Sequence, residues 1–271
     1  MITFVPKAGL GNRMRGIASA YRLARFIDEK LEIVWINNHE CNCSPHLLFD
    51  LPEHVVVKTI PWIPIPLAAR MRIQDLIRGV LRKNRDLVLL DEDLWDMEQS
   101  FINSLKGKNI YIETAAGWDC EEENSFDIFK INSELIHNVE CFLKTNHLNN
   151  KELIGVHIRR TDMESATEES PRESFVKCMQ KELQDNPKVC FYLATDDVSE
   201  KEYFRNTFGN NCVYCQNIVT SRQSPKGICK ALEEIALLGK CQKIYGTKGS
   251  SFSNLAADMG HKPFVTVVKE M

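Results

Sequence analysis

The sequence predicts an α/β fold built on parallel sheets, and three observations carry that expectation. Apolar β-branched runs alternate with helix-periodic segments from about residue 150 onward, a strand–glycine turn–helix–strand unit opens the chain, and charged or small residues follow several of the apolar runs. Repetition at this pitch implies parallel strands covered on both faces, with ligand groups presented at the carboxyl edge.

The opening unit starts with Ile2 to Val5 as a strand and turns at Lys7-Ala8-Gly9-Leu10-Gly11-Asn12. A helix from Arg13 to about Lys30 keeps Met14, Ile17, Ala18, Tyr21, Ala24 and Ile27 at helical spacing, and Leu31 to Ile36 is the next strand. This is a βαβ unit whose crossover should be right-handed. From about 60 to 108 the pattern weakens. Pro61, Pro64 and Pro66 interrupt it, and Leu67 to Lys83 reads as a basic helix with Arg70, Arg72, Arg78, Arg82 and Lys83. Trp62 and these arginines suit an acceptor carried on an anionic membrane, although a solvated basic face is the commoner explanation. Asn109 to Glu113 reads as a strand and Ser133 to Thr145 as a helix. The polar stretch 146–151 is the expected junction between a domain of residues 1–148 and one of 149–271.

In the second half, strands are expected at Leu153 to Ile158, Cys190 to Asp196, Cys212 to Tyr214, Lys243 to Tyr245 and Phe264 to Val268. The helices between them are expected at Arg172 to Gln184, Ser199 to Thr207, Lys226 to Leu238 and Ser251 to Met259.

Composition sets bounds. The 271 residues suffice for two modest domains, and 44% hydrophobic with 26% charged residues is ordinary for a globular protein. A net charge of -3 argues against a dedicated nucleic-acid binder. No apolar run reaches the roughly 20 residues of a membrane-spanning helix. Met1 leads straight into a strand rather than a signal peptide, so a cytoplasmic protein, with or without peripheral attachment to the inner membrane, and reduced thiols are expected for the ten cysteines. His39, Cys41, Cys43 and His46 offer zinc-type ligands, yet Cys-x-Cys is tighter than structural zinc spacing and no second pair recurs, which favours a loop.

The chemistry concentrates at strand ends. His157-Ile158-Arg159-Arg160-Thr161-Asp162 ends an apolar strand in two guanidiniums suited to a diphosphate. Ala194-Thr195-Asp196-Asp197 places carboxylates after the next strand, and Gly246-Thr247-Lys248-Gly249-Ser250-Ser251-Phe252-Ser253 is a glycine loop entering a helix. Small residues and a helix start make an anion site, although serine capping alone is common. Gly9-x-Gly11 lacks the third glycine of the dinucleotide fingerprint, and no Walker lysine is present.

These three segments resemble, in order, the donor-site motifs of the α-1,6-fucosyltransferase superfamily, which includes the nodulation fucosyltransferase and the protein O-fucosyltransferases. The opening Gly9-Leu10-Gly11-Asn12-Arg13 is similar to their first glycine–asparagine turn. The resemblance covers roughly 150–260 and the first thirty residues; 40–130 carries little of it. It implies a GT-B-like architecture, two Rossmann-like domains with parallel sheets facing a cleft, the second domain holding the donor. It implies inverting transfer of fucose from GDP-fucose to a glycan or lipid-linked saccharide, with no metal or other cofactor. On that analogy Arg159 and Arg160 sit at the diphosphate, and Ser250, Ser251 and Phe252 add phosphate contacts. His157 lies near guanine, Glu233 or Glu234 accepts from the guanine N–H groups, and Asp196 belongs to the donor-site strand end. Gly11 and Asn12 approach the diphosphate from the first domain, where Arg13 and Arg15 either contact phosphate or cap the cleft. Glu164, Glu168 and Glu169 are candidate bases, with Glu168 chosen, although Thr167 aligns with the family's glutamate. The rivals are a transferase for another GDP-sugar and an inactive GDP-sugar- or glycan-binding module.

Overall fold

The computed structural model describes residues 1–95, 97–118, 125–160, 164–216 and 221–269. The chain divides into two compact units, Met1–Asn132 with Ser221–Ile228, and Ser133–Thr220 with Cys229–Met271.

The first unit runs β1 (Ile2–Pro6), α1 (Leu10–Phe26), β2 (Leu31–Ile36), β3 (Phe49–Asp50), β4 (Val56–Ile60), α2 (Leu67–Arg82), β5 (Leu87–Leu89), α3 (Gln99–Ser104), β6 (Ile110–Thr114) and β7 (Lys130–Ile131). Five of these strands form a parallel sheet in the order β4-β2-β1-β6-β5, while β3 and β7 pair antiparallel. In β1 every residue is buried, as a strand covered on both faces requires. On α1, Met14, Ile17, Ala18, Leu23 and Ala24 are buried. Its Gly16 lets the helix approach Phe4, whose ring would stand 2.8 Å from an added Cβ. The expected helix start at Arg13 moves back to Leu10, because Gly9 is already extended and serves as the N-cap.

The second unit runs α4 (Ser133–Thr145), β8 (Leu153–Ile158), α5 (Glu164–Glu169), α6 (Arg172–Asp185), β9 (Cys190–Thr195), α7 (Val198–Phe208), β10 (Cys212–Val213), α8 (Pro225–Gly239), β11 (Lys243–Thr247), α9 (Ser251–Gly260) and β12 (Phe264–Val267), with the first turn of α8 grouping with the first unit. Its sheet is parallel in the order β10-β9-β8-β11-β12. Ile154, Val156 and Ile158 point to one face and pack with Phe175, Met179, Phe191, Leu193 and Phe204. Burying each of these aromatic or aliphatic side chains is worth about 1.5–3 kcal/mol. The stretch 146–151 is a turn after α4, with His147 in the left-handed region at φ 54°. Helix α4 belongs with the second unit because Leu135 and Val139 are buried there and Phe142 meets Tyr192 edge-on at 5.6 Å. The compact units therefore divide at Asn132, earlier than residue 148.

Most described thiols are buried. Burial pushes Cys212 up to about 12 and Cys215 up to about 11, and raises Cys41, Cys178 and Cys241 as well.

Helices α8 and α9 touch through two glycines. A Cβ on Gly260 would lie 2.5 Å from the Gly239 carbonyl oxygen and 2.6 Å from its Cα. Backbone cannot yield as a side chain can, so Gly260→Ala should cost about 2 kcal/mol or more in denaturant titrations. Gly79→Ala, on an open face of α2 with nothing within 4 Å, should gain about 0.5–1 kcal/mol in the same measurement.

Candidate active site

The order of the second sheet reverses between β8 and β11, and open α/β sheets bind ligands beyond the carboxyl ends of strands at such a switch point. Hydroxyl and carboxylate groups stitch the strand ends together there. The Thr247 hydroxyl at the end of β11 donates to the His157 carbonyl (3.2 Å) and accepts from the Arg159 amide (3.0 Å). Asp196, just past β9, accepts from the Arg160 amide (2.9 Å) and lies 3.6 Å from Arg159 Nε.

The two adjacent arginines face different surroundings. Arg160 donates from Nε to Glu200 (2.8 Å) and from Nη1 to the carbonyls of Ser170 (3.1 Å) and Arg159 (3.3 Å). Its side chain is 9% exposed, Phe175 lies beneath it, and Nη2 has no partner among the described residues. Glu200, 3% exposed, also accepts from Arg172 Nε at 2.8 Å. Arg160 is thus built into the frame. Arg159 is the more open, 19% exposed.

The glycine loop is held by a buried hydroxyl. Ser170 donates to the Val267 carbonyl (2.6 Å) and accepts from the Lys248 amide (3.0 Å). Gly249 turns through φ 73°, and Ser250 is the N-cap of α9, its amide bonded to the Thr247 carbonyl. Gly246 allows α9 to press on β11, since a Cβ there would meet Ser253 and Phe264 at 2.5 Å. Ser250 spends no side-chain hydrogen bond on capping, and Ser251 and Phe252 follow half-buried in the first turn, where free amides and the helix dipole favour an anion.

Beside this turn, the imidazole of His157 stacks on Phe252 with centroids 4.8 Å apart. Burial first, and the Arg159 charge second, push His157 down to about 3, so the ring is neutral. Its Nδ1 has no partner among the described residues. On α8 the two glutamates diverge. Glu233 is tied to Asn138 (2.7 Å) and Lys230. Burial pushes Glu234 up to about 7 against the opposing pull of Lys201 and of Tyr192, whose hydroxyl stands 3.5 Å away.

The remaining sequence candidates fall as follows. Gly11 and Asn12 lie half-buried in the first turn of α1, in the first unit. Arg13 corrects the expectation of a phosphate or cleft contact. Its guanidinium is fully buried, donates to Ala8 O (2.8 Å), Ile36 O (2.9 Å) and Asn38 Oδ1 (3.0 Å), and stacks on Trp35. Glu168 is exposed on α5 and makes no bond to Arg159 or Arg160. Thr161 and Asp162 lie outside the described residues. Cys41 and Cys43 are buried in a turn closed by the Asn38–Cys41 bridge, and Trp35 donates to the Cys43 carbonyl. Among the described residues no three potential metal ligands converge.

Sequence reasoning gave no role to Glu200, Ser170 or Thr247. Thr247 lies within the glycine-loop segment, whereas Glu200 and Ser170 reach Arg160 from helix and loop positions that carry no signal of their own.

Two Rossmann-like units with parallel sheets define a GT-B-like protein. Its fold is shared with NodZ alpha-1,6-fucosyltransferase soaked with GDP-fucose, at TM-score 0.61 and 20% identity over 95% of this chain and 92% of that one. The fucosyltransferase NodZ from Bradyrhizobium gives 0.58 at 18% identity over 94% and 91%. POFUT1 in complex with GDP-fucose gives 0.57 at 11% identity over 98% of each chain. No protein-family profile and no curated protein sequence matches.

Ser170→Ala should leave the Lys248 amide without its acceptor and loosen the glycine loop. The expected result is a loss of about 1 kcal/mol in denaturant titration, with Ser170→Cys restoring part of it.

Proposed function

We propose that this chain is a GDP-fucose-dependent glycosyltransferase, inverting and metal-independent, acting on a glycan or a lipid-linked saccharide. The observation that carries the reading is the joint placement of Arg159, Asp196 and the α9 N-terminus at one switch point. Cleaving a glycosyl–phosphate bond builds charge on the leaving oxygens, and fixed donors aimed there lower the barrier. Arg159 and the amides at Ser251 and Phe252 take the diphosphate, Ser250 adds its hydroxyl, and Arg160 positions Arg159 through the shared backbone. Glu234 accepts from the guanine N1–H and exocyclic amine, Glu233 borders it, and neutral His157 stacked on Phe252 walls the base. The acceptor hydroxyl attacks the face opposite GDP as the sugar gains oxocarbenium character, and Glu168 is the assigned base. The solved relatives with GDP-fucose support this donor at the level of fold.

Calorimetric titration with GDP, GDP-fucose and GDP-mannose in EDTA tests the donor. Tightest binding of GDP-fucose supports the reading, a preference for mannose reassigns the sugar, and no binding overturns it. In a turnover assay Arg159→Ala should lower kcat about 10²–10³-fold while changing GDP affinity less. Equal losses would make Arg159 a binding residue only.

The raised Glu234 carboxyl gives a pH signature. In the free protein its ionisation opposes folding, so its contribution is intact below about 4.5 and lost as pH rises through about 7. Guanine needs the ionised form. GDP affinity should therefore rise from pH 6 to 8, by up to about tenfold per unit below 7, and Glu234→Gln should flatten that slope.

A further inference from the structure

Helix α2 turns a polar stripe, Arg70, Gln74, Arg78 and Arg82 at i, i+4 spacing, toward the first sheet. Arg70 donates to Ile63 O (3.0 Å) and Ile65 O (2.7 Å), beyond β4. Gln74 donates to Asn37 O (3.3 Å), beyond β2, and Arg82 Nη2 to Glu113 Oε2 (2.7 Å), at the end of β6. The stripe therefore follows the carboxyl ends of the strands. Arg70 and Gln74 are spent on carbonyls, but the last two arginines are not.

Arg78, Arg82 and Lys7, the residue after β1, converge on Glu113, a carboxylate 4% exposed. Arg78 Nε lies 3.1 Å from Oε1, Lys7 Nζ lies 3.9 Å from the same oxygen, and the Tyr111 hydroxyl donates to Oε2 at 2.5 Å. The second acid nearby, Asp91, already accepts from the Thr114 hydroxyl (2.5 Å) and the Ala115 amide (3.0 Å), and stands 3.7 Å from Lys7. One guanidinium would neutralise one structural glutamate; here three cations surround it, of which Arg78 also donates to Asp75 on its own helix (3.1 Å) and Lys7 and Arg82 are the open ones. Lys7 and Arg82 remain 38% and 39% exposed, and among the described residues neither Lys7 Nζ nor Arg82 Nη1 has an acceptor at hydrogen-bonding distance. The cluster also stands where the first sheet's strand order reverses, between β1 and β6.

We propose that Lys7, Arg78 and Arg82 form an anion site that takes a phosphate or diphosphate group. Glu113 is its anchor, holding the guanidiniums side by side rather than meeting the ligand. Forked guanidiniums with an ammonium match tetrahedral oxyanions, and three cations suit a multiply charged group over a single carboxylate. Assigning that group to the acceptor, as a sugar phosphate or a lipid-linked diphosphate, rests on the transferase reading; the anion site itself does not.

The test is calorimetric titration of pyrophosphate into GDP-saturated protein, with acetate as the comparison anion. Saturable pyrophosphate binding, weakened about tenfold or more by Lys7→Ala and by Arg82→Ala, is expected. Absence of binding, binding indifferent to Lys7→Ala, or equal affinity for acetate would overturn the site. Lys7 makes no side-chain hydrogen bond among the described residues, so that variant keeps the test decisive even if Arg82→Ala fails to fold. A prenyl diphosphate in micelles and glucose 1-phosphate then separate the sources. Weakening of the first alone assigns a lipid headgroup, weakening of the second alone a soluble sugar phosphate, and weakening of neither rejects both. Failure of GDP to bind the wild type would sink the donor reading alone, since the pyrophosphate comparison between wild type and Lys7→Ala still stands.

Discussion

The second unit's ligand edge depends on one buried ion pair. Glu200 and Arg160 are almost wholly removed from water, and such a pair relies on partners for its remaining groups, although Nη2 of Arg160 has none among the described residues. Arg172 meets the second oxygen of Glu200, while the Ser170 and Arg159 carbonyls take Nη1 of Arg160. The result is a rigid corner where β8 leaves the sheet. Arg159 hangs from that corner, so its direction is set by a neighbour that is itself turned inward. Ser170 extends the same constraint to the glycine loop through the Lys248 amide, and to the end of β12 through Val267.

The two sheets use their edges differently. The second carries small residues, a helix start and carboxylates at its reversal point, with Arg160 folded into the frame. In the first, α2 runs from after one edge strand, β4, to before the other, β5, laying arginines along the strand ends as it goes. Arg13 is absorbed beneath the opening turn, where Asn38, Trp35 and two carbonyls account for its charge.

Strands buried on both faces announce themselves, which is why Leu153–Ile158, Cys190–Thr195 and Leu31–Ile36 are legible as largely apolar runs, each with a single polar residue. The short strands β4 and β5 are not. Val56–Ile60 is mostly half-exposed, and Leu87–Leu89 has three residues on which no period can be counted. Among site residues, the motif located the edge but could not rank its members. Arg159 and Arg160 are chemically identical in sequence, and partners remote in the chain, Glu200 forty positions from Arg160 foremost, separate them. Arg13 meets the same limit, because nothing in the string says that Ile36 O and Asn38 will surround it.

The sunken cysteines give the molecule an internal clock. A thiol attacks an alkylating reagent as thiolate, and burial makes thiolate scarce at Cys41 in the first unit and at Cys178, Cys212, Cys215 and Cys241 in the second. Labelling at these positions then waits on opening of the surrounding structure, at a rate set by how often each neighbourhood breathes. Cys41 and Cys212 sit in different units, so their labelling rates time the loosening of each half independently, without any reporter being added.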